Sequence, residues 1–235
     1  MKHLNLHPWE VSPNEAIQIQ KDLKERIILK DSFERIERVA GCDVSFLKGV
    51  AYGAVVILNF FDLKPIEEVR ISAPIKFPYI PGLLTFREGP VLLKAFEKVN
   101  NEPDIILFEG QGIAHPRRMG LASHIGILLD KPSIGCAKTP LWGRLDGEIG
   151  KEKGSYCFIK ENGEVFGCAL RTRPEIKPIF VSPGYKITLK SAIEIVLFLS
   201  PKFRTAEPLR LAHTLSKEAS CKRYDKTLYI PSIIL

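Results

Sequence analysis

The chain has 235 residues and carries 34 Lys and Arg against 27 Asp and Glu, a net charge of +7. With 45% hydrophobic and 26% charged residues it can bury a full-sized core and still stay soluble, as one large domain or two small ones. The basic excess admits a polyanionic partner without demanding one, since ordinary basic surfaces show the same balance.

The first helix begins with a clear signal: Ser12 as cap, Pro13 at the first helical position and Glu15 closing a capping box, predicting a helix to about Lys30. Three β-rich runs follow, 38–46, 49–61 and 66–73. Short turns at Leu47-Lys48-Gly49 and at 62–65 join them into an antiparallel meander. The pattern then alternates: a helix over 85–99, a short buried strand over 104–108, a helix over 117–129 and a strand over 133–137. Two further strands meet at the hairpin signal Glu161-Asn162-Gly163, and helices over 189–199 and 207–219 close the chain. A meander followed by strand-helix alternation, without linker or repeat, predicts a single α/β domain with a mixed sheet flanked by helices. Its order, β-β-β-α-β-α-β-α, is that of the RNase H-like fold.

Cys42, Cys136, Cys157, Cys168 and Cys221 are odd in number, far apart and without a CxxC pair, which argues against a disulfide framework or a zinc site. Four of them lie among apolar neighbours, as small core residues of a reducing compartment do. The opening segment lacks the apolar stretch of a secretory signal, and the apolar run at 192–199 is interrupted by Glu194 and too short to span a bilayer. A soluble cytoplasmic protein is expected.

Three acids stand out. Asp43 interrupts an apolar strand, where Asp is depleted and a buried carboxylate is costly unless paired or bound to a cation. Glu109 ends the strand Ile105-Ile106-Leu107-Phe108 and enters Gly110-Gln111-Gly112, at the strand end where α/β sheets bind ligands. Glu88 lies in the first turn of its predicted helix. Singly, an ion pair, a helix dipole and a strand end at solvent explain them. Jointly, three carboxylates near one sheet edge suit an oxygen-ligated Mg²⁺ or Mn²⁺ that activates water against a phosphodiester.

The surrounding loops fit a nucleic acid. Pro78-Tyr79-Ile80-Pro81-Gly82 holds an aromatic between two prolines, either a surface Tyr or a wedge between bases. The segment from Gly110 to Arg118 places bare backbone, His115, Arg117 and Arg118 just beyond Glu109, as a phosphate or base pocket would, although solvated Arg pairs are common. Lys138 follows a strand and His213 sits on the last helix; taken alone, each is an ordinary structural residue.

Together these segments resemble the endonuclease V family. The matching stretches are 41–46, 78–82, 86–88, 112–118, 120–124, 135–138 and 210–213, in family order and spacing. The resemblance implies an RNase H-like enzyme that extrudes a deaminated base of DNA, such as hypoxanthine, and cuts the second phosphodiester bond on its 3′ side, leaving a 3′-hydroxyl and a 5′-phosphate. It implies Asp43 and Glu109 as ligands of Mg²⁺, for which Mn²⁺ could substitute, with Glu88 completing the cluster. His213 would help metal or water, Lys138 orient phosphate or water, and Tyr79 fill the gap left by the flipped nucleotide. Gly82, Leu84, Gly110, Gly112, Gly120 and Leu121 would border the base pocket. The expected state is a monomer. Some relatives prefer inosine in RNA, so an endoribonuclease is the second enzyme reading. The family has Asp where this chain has Glu109, whose extra methylene also allows a lesion-binding protein with weakened cleavage.

Overall fold

The computed structural model describes residues 1–221; the thiol of Cys221 lies outside the described side chains. The capping box forms: Ser12 accepts from the Glu15 amide and Glu15 accepts from the Ser12 amide, opening α1 (Pro13–Lys24). The helix stops six residues short of the predicted Lys30. Beyond it the chain leaves to pair with a distant segment, where the Lys186 amide donates to the Ile28 carbonyl at 2.7 Å. That long-range bond replaces the helical ones the local propensity anticipated.

The meander appears as predicted, with β1 (Arg38–Leu47), β2 (Val50–Asn59) and β3 (Pro65–Pro74) antiparallel in sequence. Its first turn is the two-residue Lys48-Gly49, with φ of 47° and 79°. Positive φ at both positions matches the twist of the flanking strands. Next come α2 (Leu84–Glu97), β4 (Ile105–Glu109), α3 (Leu121–Leu129) and β5 (Ser133–Ala137), with β4 parallel to both β1 and β5. Two boundaries move. Glu88 is the fifth residue of α2 rather than in its first turn. The helix predicted from Arg117 starts at Leu121, because the Arg118 and Gly120 amides are drawn back to the His115 and Gly112 carbonyls.

Beyond β5 the sheet continues through β6 (Arg144–Leu145), β7 (Tyr156–Glu161), β8 (Glu164–Leu170) and β9 (Ile179–Tyr185), and the chain proceeds to α4 (Leu189–Phe198) and α5 (Glu207–Cys221). The β7–β8 hairpin turns at Asn162-Gly163, as anticipated. Neither β6 nor β9 was expected. Strand β9 carries Pro183 and Gly184, poor strand formers, yet lies between β5 and β8 near the middle of a nine-stranded sheet ordered β3-β2-β1-β4-β5-β9-β8-β7-β6. The conflict is resolved locally: Pro183 sits where the β5–β9 register shifts, and its carbonyl is used by the Ile113 amide at 2.8 Å.

The result is the RNase H-like mixed sheet, with α4 and α5 packed on one face and α2 and α3 on the other. Alternation along β1 sends Val39 to the α5 side and Ala40 and Cys42 to the α2 side, so Asp43 shares the α5 face. Helix α5 comes unusually close to β1 because Gly41 has no side chain; a Cβ there would lie 2.2 Å from Pro208 backbone atoms. This contact sets how far α5 reaches over Asp43. Among the described residues no helix is long and apolar enough to cross a membrane.

Candidate active site

The three central parallel strands deliver their carboxyl ends to one edge. Asp43 and Glu109 each lie one residue beyond the paired Cys42 and Phe108, and Glu109 pairs in register with Cys136, two residues before Lys138. From the α5 face, His213 meets them. Ligand atoms of Asp43, Glu109 and His213 lie within 4.8 Å of one another. The His213 Nδ1 donates to Asp43 Oδ2 at 2.9 Å, and Lys138 Nζ stands 2.5 Å from Glu109 Oε1. Because a carboxylate only accepts, Nδ1 carries the hydrogen of this bond, and Nε2 has no hydrogen-bond partner among the described residues.

Glu88 approaches from α2 on the other face and is buried. Burial drives its carboxyl well above the usual carboxylate range, the charges of Asp43 and Glu109 push it the same way, and Arg87 offsets part of this. Like-charged groups gathered at a sheet edge are an arrangement that a divalent cation relieves. The donors are oxygens plus one imidazole, which suits a hard divalent ion. The neighbouring Cys42 is no competitor, since burial and then the charges of Asp43 and Glu88 push its thiol well up and keep it protonated.

The second predicted group is organised quite differently. The Gly82 carbonyl accepts from His115 Nε2 at 2.9 Å, Arg117 Nη2 at 2.9 Å and Gln20 Nε2 at 3.0 Å. Gln20, buried on α1, also donates to the Met119 carbonyl at 2.9 Å and accepts from Arg117 Nε at 2.6 Å. His115 accepts from the Arg117 amide at Nδ1, so its hydrogen sits on Nε2. Its pKa is pushed down to about 4, mainly by burial. Gly82 itself has φ +80°, and a Cβ there would lie 2.9 Å from Arg117 Nη2. His115 and Arg117, expected from sequence to meet phosphate or base, make hydrogen bonds that fasten the 78–82 loop to the 110–120 loop. Arg118 turns elsewhere, pairing with Glu164 and lying 4.9 Å over the Phe166 ring.

Tyr79 projects from this clamped loop and is 67% exposed. Leu84 is half-buried at the start of α2, and Leu121 covers Gly110, whose added Cβ would meet it at 3.4 Å. Gly112 and Gly120 are joined directly, the Gly120 amide donating to the Gly112 carbonyl at 3.0 Å. Gly82 is thus tied to the 110–120 loop, which begins one residue after Glu109, and Leu84 and Leu121 stand at the first positions of α2 and α3. Sequence reasoning missed Gln20 and Ser216. Ser216 donates to Asp43 Oδ2 at 2.9 Å and is three residues from His213, hence on the same helix face, a signal that was available. Nothing local marks Gln20.

Comparisons with known proteins agree on one family. A family model described as Endonuclease V matches residues 21–214. A protein of that name from Methanothrix thermoacetophila is 51% identical over 216 residues, 92% of this chain and 96% of its own. The crystal structure of the Bacillus subtilis Endonuclease_V superposes with a TM-score of 0.88 at 34% identity, covering 93% of this chain and 97% of that one. The Ciona intestinalis Endonuclease V, crystallised with a 24mer DNA containing an inosine followed by a ribo-adenosine, superposes at 0.77 with 29% identity, over 88% and 96% of the two chains.

Proposed function

The chain belongs to the endonuclease V family, and on that premise we propose that it nicks DNA at the second phosphodiester bond 3′ to a deaminated base such as hypoxanthine. The observation that carries this reading is the convergence of Asp43, Glu109 and His213 within 4.8 Å, beside the buried Glu88. Asp43 and Glu109 would hold Mg²⁺, with Mn²⁺ able to replace it. Such an ion supplies acidification of a water and neutralisation of charge on the departing oxygen.

The protein's own groups account for the rest. Water oxygen bonds to phosphorus while the bond from phosphorus to the 3′ oxygen breaks, and the departing oxygen takes a proton from solvent, leaving a 3′-hydroxyl and a 5′-phosphate. His213 Nε2, held outward by the Nδ1 bond to Asp43, takes the water's proton. Lys138 Nζ, poised at Glu109, orients the phosphate. Tyr79, exposed on a loop anchored at Gly82, stacks into the space the flipped nucleotide vacates. His115, Arg117 and Gln20 act one step back, by holding the pocket loops. The acid cluster is complete within one chain, which supports a monomer, and free buried thiols at the four described cysteines suit the cytoplasm.

A duplex carrying one deoxyinosine tests this directly. Nicking one bond removed from the lesion in Mg²⁺, and none in excess chelator, is expected; cutting at undamaged sites, or full cutting in chelator, overturns it. A second reading, cleavage of inosine in RNA, is favoured by the ribo-adenosine beside inosine in the Ciona relative's complex. All-DNA, single-ribonucleotide and all-RNA inosine substrates, assayed side by side, rank the two.

A further inference from the structure

A buried serine on a helix normally satisfies its hydroxyl on a carbonyl of the preceding turn. Ser200, buried just beyond the end of α4, does so on Val196 at 2.8 Å, and Thr214, on the exposed side of α5, does so on Arg210 at 3.1 Å. Ser216 is different. Fully buried on α5, it shares its hydrogen between the His213 carbonyl at 3.0 Å and Asp43 Oδ2 at 2.9 Å. Its own carbonyl accepts from Ser45 Oγ at 2.7 Å, which ties that turn of α5 to the residue two positions beyond Asp43 on β1. Both hydrogen bonds described for the Asp43 carboxylate, from Ser216 and from His213, fall on Oδ2, and none falls on Oδ1.

We propose that Ser216 is a positioning residue for the metal-binding acid: together with His213 it occupies Asp43 Oδ2, fixes the carboxylate rotamer and presents Oδ1 to the cation. This rests on the reading of Asp43 as a ligand. A carboxylate with one oxygen held by two donors has lost the free rotation that otherwise opposes coordination, which is why partners behind a ligand affect metal affinity. The Ser45 link keeps α5 at the height where the hydroxyl reaches. Gly41, by admitting α5 so close, makes the reach short enough for a serine.

Mn²⁺ titration of the full chain, read by electron paramagnetic resonance of the unbound ion, tests this without any cleavage assay. The wild type should bind and Asp43→Ala should not. Ser216→Ala should bind about 10- to 100-fold more weakly, and Thr214→Ala, on the same helix but bonded only locally, should match wild type. Ser216→Cys, similar in size with a weaker donor, should fall between, and carries the test if the alanine variant does not fold. Thermal midpoints measured alongside identify a serine that merely fastens α5: a lowered midpoint with unchanged Mn²⁺ affinity overturns the proposal. Wild-type affinity in both Ser216 variants also overturns it while leaving Asp43 as a ligand. Equal binding by wild type and Asp43→Ala sinks both this role and the metal reading on which it rests.

Discussion

The loop clamp at Gly82 and the acid cluster at Asp43 lie side by side and follow opposite rules. In the clamp, one carbonyl accepts from Gln20, His115 and Arg117, and the donors also bond one another. Such a network is complete without a ligand and serves to hold a shape. In the cluster, like charges are assembled against burial, Glu88 is driven toward its protonated form, and Lys138 and Arg87 offset part of the charge. That arrangement costs stability and is sustained by the surrounding sheet. Polar residues that satisfy one another are framework, whereas acids held together without full compensation mark where something must bind.

The sharpest way to break the comparison is at Asp43. Asp43→Ala should bring nicking to background while lesion binding stays measurable, because the clamp and Tyr79 are untouched. Loss of both together would mean that the two regions form one unit.

The clamp should respond to pH instead. His115 has its pKa lowered to about 4 from 6.5, so the unfolded chain takes up the proton first as pH falls. The stability it contributes is therefore complete above pH 6.5 and is lost as pH drops from there toward 4, by up to roughly 3 kcal/mol. Glu88, shifted upward, runs in the opposite sense, with stability lost as pH rises, so the measurement is a difference. Denaturant unfolding of wild type and His115→Gln at pH 7.5 and 4.5 should show the wild type losing more. Parallel losses would remove His115 from the account.

Within the cluster, Glu109 is the weak point. Its side chain extends to Lys138 and is one methylene longer than an Asp in its place would be, an excess of about 1.5 Å. Misplacement of that order costs on the order of 100-fold in rate. Glu109→Asp should therefore speed single-turnover nicking in Mg²⁺, and Mn²⁺ should narrow the gap between the two proteins. A wild type faster than Glu109→Asp in Mg²⁺ would show that the strand end already compensates. The smallest effect belongs to Tyr79. Replacement by Ala should weaken lesion binding by about 1–3 kcal/mol and replacement by Phe much less, as stacking requires. Equal losses would transfer the role to the hydroxyl.

Much of this architecture was legible because its signals are local. Ser12 and Glu15 cap α1 across three residues, Lys48-Gly49 and Asn162-Gly163 turn hairpins in two, and alternation along β1 already sets Asp43 apart from its apolar neighbours. Asp43 and Glu109 were recognisable as unusual acids within and at the end of apolar strands, whereas His213, an ordinary helix residue by itself, was singled out only by the family resemblance. Their meeting point was not, since it depends on the order of parallel strands and on the approach of α5 over Gly41.

Where local preference and long-range pairing disagree, the tertiary structure decides. Residues 25–30 give up their helix for a bond to Lys186, and β9 is a strand despite Pro183 because β5, β8 and the Ile113 amide use its remaining groups. The same holds for function. The chain by itself determines which elements form and which residue types stand at their ends, because capping, turns and alternation act over a few positions. Only packing decides that Gln20 grips Gly82 across 62 residues and that Ser216 steadies Asp43 across 173. A side-chain hydrogen bond depends on distances of a few tenths of an ångström, and at such separations along the chain those distances exist only once the whole sheet and its helices are assembled.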